Sequence, residues 1–247
     1  MSLLLHAISF LTVVPAGKWI DNEPSEPLAE SMTWFPLVGL IPGGLMLVIA
    51  YLSPQVLPPS VAAFLALLAG VIITGGLHLD GLADWADGLA GRSPQEVLRI
   101  MKDTRVGAFG VAAVVLLLIG KYAALLAVIS GRQVLAVMVI APVLARWNLT
   151  LLAATSTYPR PEGGTAREFV GKGGSQVILK ATALMVTVVL LASPLRGIIY
   201  IVVAAGTAWL FRHHSIKRVG GITGDILGAD CEIVELVILM AASIMGG

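Results

Sequence analysis

The chain has 247 residues, of which 57% are hydrophobic and 13% charged, with a mean hydropathy of +0.91. Soluble domains run at about 45–50% apolar and about 25% charged, so this composition excludes an ordinary soluble domain, and disorder with it. Sixteen lysines and arginines against fifteen acids leave a net charge of +1, which excludes a basic nucleic-acid-binding surface, and the single cysteine, Cys231, excludes an intrachain disulfide or a thiolate metal cluster.

The first apolar run, 3–15, is too short to cross a hydrocarbon core of about 30 Å, and it predicts a re-entrant or half-length helix. It has no basic start and no small-residue cleavage site, so it reads as part of the mature protein and not as a signal peptide. Seven longer stretches follow at roughly 34–53, 59–79, 107–129, 133–155, 176–193, 197–211 and 226–246, the sixth near 15 residues. None alternates strictly with a period of two, and lipid demands internally satisfied backbone, so helices are expected and not a barrel. The expected fold is all-α: one membrane-embedded unit over 1–247, with six or seven transmembrane helices plus the short N-terminal one.

If successive spans form hairpins, the segments 16–33, 80–106, 156–175 and 212–225 share one side of the membrane. Eleven of the sixteen cationic residues lie there, whereas the opposite side has only Arg132 and Arg196. The positive-inside rule then places the rich side in the cytoplasm of a multi-pass protein of the cell inner membrane. All fifteen acids lie in the same four segments or in the first turns of the last span. Short far-side loops explain part of that bias. They do not explain why acids form two tight groups.

The first group reads His78-Leu79-Asp80-Gly81-Leu82-Ala83-Asp84-Trp85-Ala86-Asp87-Gly88. Asp80, Asp84 and Asp87 fall at i, i+4 and i+7, one face of a helix. A helix start tolerates one or two acids near its positive end. Three on one face at the end of an apolar span favour a hard divalent cation, Mg²⁺, Mn²⁺ or Ca²⁺, over simple solvation. His78 is a substrate contact or a helix-edge histidine satisfied by backbone.

The second group runs from Gly220-Gly221-Ile222-Thr223-Gly224-Asp225 through Gly228 to Asp230, Glu232 and Glu235. Asp225, Glu232 and Glu235 share a face at i, i+7 and i+10. Gly228 lies on that face too, leaving room for a ligand or another backbone. Thr223 is placed to cap the helix. The glycines permit a tight turn whose amides could receive an anion, although a plain cap is the commoner use of such a turn. Asp230 points elsewhere and is expected to be solvated.

Arg99, Lys102 and Arg105 fall at i, i+3 and i+6. They form either a basic face for anionic lipid headgroups or a phosphate-binding strip beside the acids; Lys217 and Arg218, near the second group, favour the strip. Arg146 and Lys121 lie within spans and need a carboxylate or phosphate partner, whereas Lys180 can snorkel. Carboxylates, a divalent cation and cationic side chains on one rim suit phosphoryl or phosphodiester transfer. Acidic sites also occur in ion channels and proton-coupled transporters, the non-enzyme alternative, but a transporter would carry polar residues near the midplane.

The motifs themselves resemble the cobalamin synthase family, adenosylcobinamide-GDP ribazoletransferases. The stretches concerned are Phe10-Leu11-Thr12 with Pro15, Phe35-Pro36-Leu37-Val38-Gly39, Thr74-Gly75-Gly76 through Asp84 with Asp87-Gly88, Ile100 to Gly107, and Gly220 to Ala229 with Glu232 and Glu235. The resemblance spans about residues 3–243. It departs at Val13-Val14, where the family often has an arginine after the threonine, and it is loose over 156–175, around Tyr158-Pro159-Arg160.

That resemblance implies a Mg²⁺-dependent transferase, with Mn²⁺ as a substitute. It would join adenosylcobinamide-GDP to α-ribazole or its 5′-phosphate, a late step of cobalamin biosynthesis, with release of GMP. The substrates and membrane lipid are the expected partners, a homo-oligomer is allowed, and nucleic acid is not expected. Asp80, Asp84 and Asp87 would hold the metal. Asp225 and Glu232 would complete its shell or serve as general base, and Lys102 and Arg105 would hold phosphates. His78, Arg99, Asp103, Arg146, Thr223 and Lys217 would orient substrate. Membrane CDP-alcohol phosphotransferases share the acidic-rim logic, but Asp87-Gly88 is followed here by Leu89-Ala90-Gly91-Arg92, and their later aspartate pair is absent.

Overall fold

The structure is a computed structural model that describes residues 2–19, 28–131, 136–160 and 162–245. Asp21, Glu23, Glu26, Arg132 and the start of the fourth expected span lie outside the described residues. The helices are α1 (Ser2–Leu11), α2 (Leu28–Gln55), α3 (Pro59–Thr74), α4 (Leu77–Gly88), α5 (Pro94–Ile100), α6 (Ala108–Ser130), α7 (Val137–Ala154), α8 (Ser175–Ala192), α9 (Arg196–Val219) and α10 (Gly224–Met245). Among the described residues there is no strand. Four helices, α2, α6, α7 and α8, are long and apolar enough to cross a membrane, and α3 with α4 makes a fifth candidate if the bent pair is one span. The all-α polytopic bundle expected from composition is the fold observed.

Helix α7 is the axis of the bundle, buried along nearly its whole length. Its close approach to α2 is made by glycine: a Cβ on Gly39 would lie 2.6 Å from the Pro142 carbonyl oxygen, and one on Gly43 2.8 Å from that of Met138. With lipid tails as apolar as leucine, helices in a bilayer associate through such close packing and not through hydrophobic burial. The outer faces carry Val111, Val115 and Ile119 of α6, Leu179 and Leu191 of α8, and Ile198, Val202 and Trp209 of α9, all exposed and apolar. A belt of this kind belongs against hydrocarbon.

Two expected spans differ in the structure. The 59–79 stretch ends at Thr74, because Gly75 and Gly76 both adopt left-handed backbone, with φ of 61° and 70°. The Gly76 and Gly75 amides close the helix end on the carbonyls of Val71 and Ile72, a glycine-terminated cap. The chain turns by 88°, so α4 leaves the direction of the span and runs along the rim. The sixth stretch, read as short, is longer: α9 continues through the polar run Arg212–Arg218 to Val219. Hydropathy marked only its apolar part.

The rim loops are tied to one another. The Ile222 amide donates to the Thr157 carbonyl at 2.9 Å, and the Thr157 hydroxyl to that of Gly220 at 3.1 Å. Arg212 donates twice to the Thr155 carbonyl, and Arg218 to the carbonyls of Leu89 and Gly91 just past the end of α4. Two cations counted in the charge asymmetry therefore also hold the loops in register.

Candidate active site

The two acidic motifs meet where α4 crosses α10. The crossing is glycine on glycine. A Cβ on Gly81 would stand 3.0 Å from the Asp225 carbonyl oxygen and 3.2 Å from the Gly228 Cα, and one on Gly228 3.1 Å from the His78 carbonyl oxygen. The space Gly228 leaves on its face is filled by another backbone. Asp80 is exposed, while Asp84, Asp87 and Asp225 are half-buried around the crossing. Burial, and then the charges of Asp225 and Asp80, push the Asp84 carboxyl up to about 7, against a smaller opposing pull from Arg160. The cluster is thus short of positive charge.

Arg160 is the cation that the protein supplies, with its Nη2 donating to Asp225 Oδ2 at 2.7 Å. Thr223 caps α10 as expected: its Oγ accepts the Ile226 amide, and its hydroxyl donates to Asp225, both at 3.3 Å. Of the turn's amides, those of Gly220 and Ile222 are used within the protein, by the carbonyls of Ile216 and Thr157. Arg160 was not singled out in the sequence. Its segment carries no periodicity, and only the fixed backbone of Pro159 ahead of it hints that its direction matters.

Asp87 shares α4 with the other two aspartates, but its carboxylate already has partners. It accepts the Gly107 amide at 2.6 Å and the Gly110 amide at 2.9 Å, capping the start of α6. A Cβ at either glycine would collide with that carboxylate.

The basic strip does not form one helical face. Helix α5 stops at Ile100, and Lys102 and Arg105 lie in the turns that follow. Asp103 explains the break, since its Oδ1 accepts the Arg105 amide at 3.0 Å and a side chain bonding local backbone competes with the helix. The Arg105 side chain is exposed and grips the same carboxylate at 2.9 and 3.1 Å, and the arginine holds the Asp103 carboxyl down at about 2. Arg99 and Lys102 instead line an open cleft with Arg160, where Lys102 lies 3.8 Å from Glu162. Lys217 is exposed.

Glu232 and Glu235 sit deeper in the bundle. Lys121 Nζ donates to Glu232 Oε2 at 2.6 Å and to Glu235 Oε2 at 2.7 Å, and Arg146 pairs with Glu235 Oε1. Two cations and two anions, all under 10% exposed, therefore answer one another. The partner that Arg146 needed is a carboxylate. Asp230, expected to be solvated, is fully buried, because the packing of α10 against the rest of the bundle covers its polar side as well. His78 is buried too; its Nδ1 lies 3.5 Å from the Cys231 sulfur, and its Nε2 has no partner among the described residues. It is not satisfied by backbone.

Beside the carboxylates lies a cavity of about 270 Å³. Asp80, Asp225 and His78 border it, and Phe10, Phe35 and Phe169 line its apolar side. The ring centroids of Phe10 and Phe169 are 4.6 Å apart, and Phe35 is 6.0 and 5.9 Å from the two. The early Phe10-Leu11-Thr12 and Phe35-Pro36 stretches are thus brought to the site by folding.

The family model described as cobalamin-5-phosphate synthase matches residues 3–243. The chain belongs to this family. Relatives named adenosylcobinamide-GDP ribazoletransferase include one from Syntrophobacter fumaroxidans, 41% identical over 97% of each chain. One from Chlorobaculum tepidum is 38% identical over 99% of this chain and 96% of its own, and one from Clostridium novyi 32% identical over 98% and 96%. No solved structure matches the chain. Membership of the cobalamin-5-phosphate synthase family gives the carboxylate crossing, the basic cleft and the aromatic cavity a reaction to be tested against.

Proposed function

We propose that the chain is a membrane transferase that joins adenosylcobinamide-GDP to α-ribazole or α-ribazole 5′-phosphate, releasing GMP and forming adenosylcobalamin or its 5′-phosphate. The observation that carries this reading is the meeting of the two motifs' carboxylates at one crossing, with a basic cleft beside them. A ribose hydroxyl forms a new P–O bond at the phosphorus bearing the corrinoid's arm. The bridging P–O bond of the diphosphate breaks, GMP departs with the bridging oxygen, and the hydroxyl proton goes to a carboxylate. Asp225, which borders the aromatic cavity, would take that proton.

The residues fit a divalent cation. Asp80 and Asp84 are hard oxygen donors beside Asp225, and among the described residues Arg160 is the cation close to them. Among the described residues, no three His, Cys, Asp or Glu side chains form a closed coordination set. A Mg²⁺ ion held here would therefore take its remaining ligands from water and substrate phosphates. When bound, Mg²⁺ (or Mn²⁺ in its place) would neutralise and align the diphosphate oxygens. Arg99 and Lys102 would hold the phosphates from the cleft, leaving Arg105 to its pairing with Asp103.

The test is GMP release by purified protein in detergent from adenosylcobinamide-GDP, α-ribazole and Mg²⁺. Lys102→Ala should raise KM for adenosylcobinamide-GDP about tenfold, since a hydrogen bond to a charged group contributes about 1.5–3 kcal/mol, whereas Arg105→Ala should change it less than Lys102→Ala does. Absence of GMP release from the wild-type protein defeats the reaction; equal effects of the two variants defeat the division between them.

The rim that carries the site would face the cytoplasm of the inner membrane, supported by the excess of lysine and arginine in its loops. An impermeant thiol reagent should label Ser93→Cys, in a Cys231→Ser background, in inverted vesicles and not in intact cells. Labelling from outside would reverse the orientation.

A further inference from the structure

The aromatic wall of the cavity is built from parts of the chain that the transfer chemistry leaves unused. Phe10 comes from α1, Phe35 from α2, and Phe169 from the turn after Thr165–Glu168. These segments are distant in sequence and lie on elements other than α4 and α10. Ring centroids 4.6–6.0 Å apart make a tight aromatic cluster, whose outer ring surfaces give the cavity an apolar shelf against which an aromatic guest can pack. The volume of about 270 Å³ holds a bicyclic base and is far too small for a corrin macrocycle. Among the described residues bordering it, the buried side-chain nitrogen left without a partner is Nε2 of His78, a residue 3% exposed. In the tautomer in which Nδ1 accepts from the Cys231 thiol, 3.5 Å away, Nε2 carries the proton and can donate.

We propose that this cavity is the subsite for the base of the ribazole acceptor: the dimethylbenzimidazole ring lies against Phe10, Phe35 and Phe169, and its single free ring nitrogen accepts from His78 Nε2. The inference rests on the reaction proposed above and adds which substrate enters where. The other flat ring in the reaction is the guanine of the donor. Guanine's edge donors could reach Asp80 or Asp225, but its several acceptors would face the phenylalanines with His78 alone to pair them. Dimethylbenzimidazole offers methyl groups and one acceptor, which match three apolar rings and one donor. Seated there, the riboside would project its sugar towards Asp80 and Asp225 at the mouth.

The experiment varies each substrate against the other in the GMP-release assay. Phe169→Ala and Phe10→Ala should each raise KM for α-ribazole about tenfold, the usual range for losing a stacked base, and leave KM for adenosylcobinamide-GDP within about twofold. A larger effect on the donor KM would assign the cavity to guanine and overturn the proposal, as would unchanged kinetics in both variants. The riboside of unsubstituted benzimidazole separates loss of contact from loss of fold. It should bind the wild-type protein more weakly than α-ribazole does, and the gap should shrink in Phe169→Ala. A gap of equal size in both would remove the shelf from recognition. Stabilisation against heating by α-ribazole alone, seen in wild type and reduced in Phe169→Ala, reports the subsite without turnover. If α-ribazole stabilises the protein in this way while no GMP is released, the subsite stands and the reaction falls. If GMP is released with neither KM responding, the reaction stands and the subsite falls.

Discussion

Asp84→Asn is expected to lower kcat/KM for GMP release by about a hundredfold or more, in protein that inserts and purifies like the wild type. The reason is the imbalance of charge at the α4–α10 crossing. Asp84 is half-buried, near Asp225 and Asp80, with its carboxyl raised to about 7. Asparagine keeps the shape and removes one negative charge. In the protein without metal this relieves repulsion, so melting in detergent should not move downward. In the working enzyme it removes a ligand charge from the group that neutralises the diphosphate. Chelation should abolish wild-type turnover, with Mg²⁺ or Mn²⁺ restoring it. Added Mg²⁺ should recover part of the variant's loss. The two readouts move apart only if the carboxylate is there for a cation. A nearly normal Asp84→Asn enzyme, insensitive to chelation, would reduce the cluster to a solvated helix start.

Lys121→Met should have the largest effect on folding. Lys121 is the shared partner of Glu232 and Glu235, and removing it leaves two carboxylates answered by Arg146 alone in the interior of the bundle. Breaking a buried pair on one side costs about 3–5 kcal/mol, enough to deplete folded protein in the membrane and to broaden its elution in detergent. Adding Glu232→Gln in the same chain rebalances the site to one cation and one anion, and most of the folded yield should return. The double variant should also release GMP, because Glu232 in this structure serves Lys121. A double variant that folds and is inactive would return Glu232 to the chemistry.

Much of this was legible in the sequence because it rests on local rules. Hydropathy found the four helices long and apolar enough to cross a membrane, and helical spacing put Asp80, Asp84 and Asp87 on one helix. The Thr223 cap followed from residue type and position. The unread parts are long-range. Nothing in the spacing of Arg99, Lys102 and Arg105 reveals that Asp103 will fold back onto the Arg105 amide and end the helix. The alignment of Asp87 with Asp84 is visible in the sequence, whereas the two amides its carboxylate accepts at the start of α6, twenty residues on, are not. Arg160 and Phe169 sit in an aperiodic loop whose direction is set by hydrogen bonds to other loops, such as that from Ile222 to Thr157. The need of Lys121 and Arg146 for partners could be argued from burial. That Glu232 and Glu235 are those partners required three helices in register.

The contact between Gly81 and Gly228 sets the distance between two halves of the site by backbone alone. No rotamer intervenes, so that distance has no soft coordinate to absorb a change elsewhere. The lipid-facing residues of α6, α8 and α9 can therefore be exchanged among apolar types, or the surrounding bilayer altered in thickness, with the spacing of Asp84 and Asp225 left unchanged. Conversely, a single methyl at the crossing would meet backbone at 3.0–3.2 Å and shift the two acidic helices apart by a few tenths of an ångström, acting on both motifs at once with every chemical group still present.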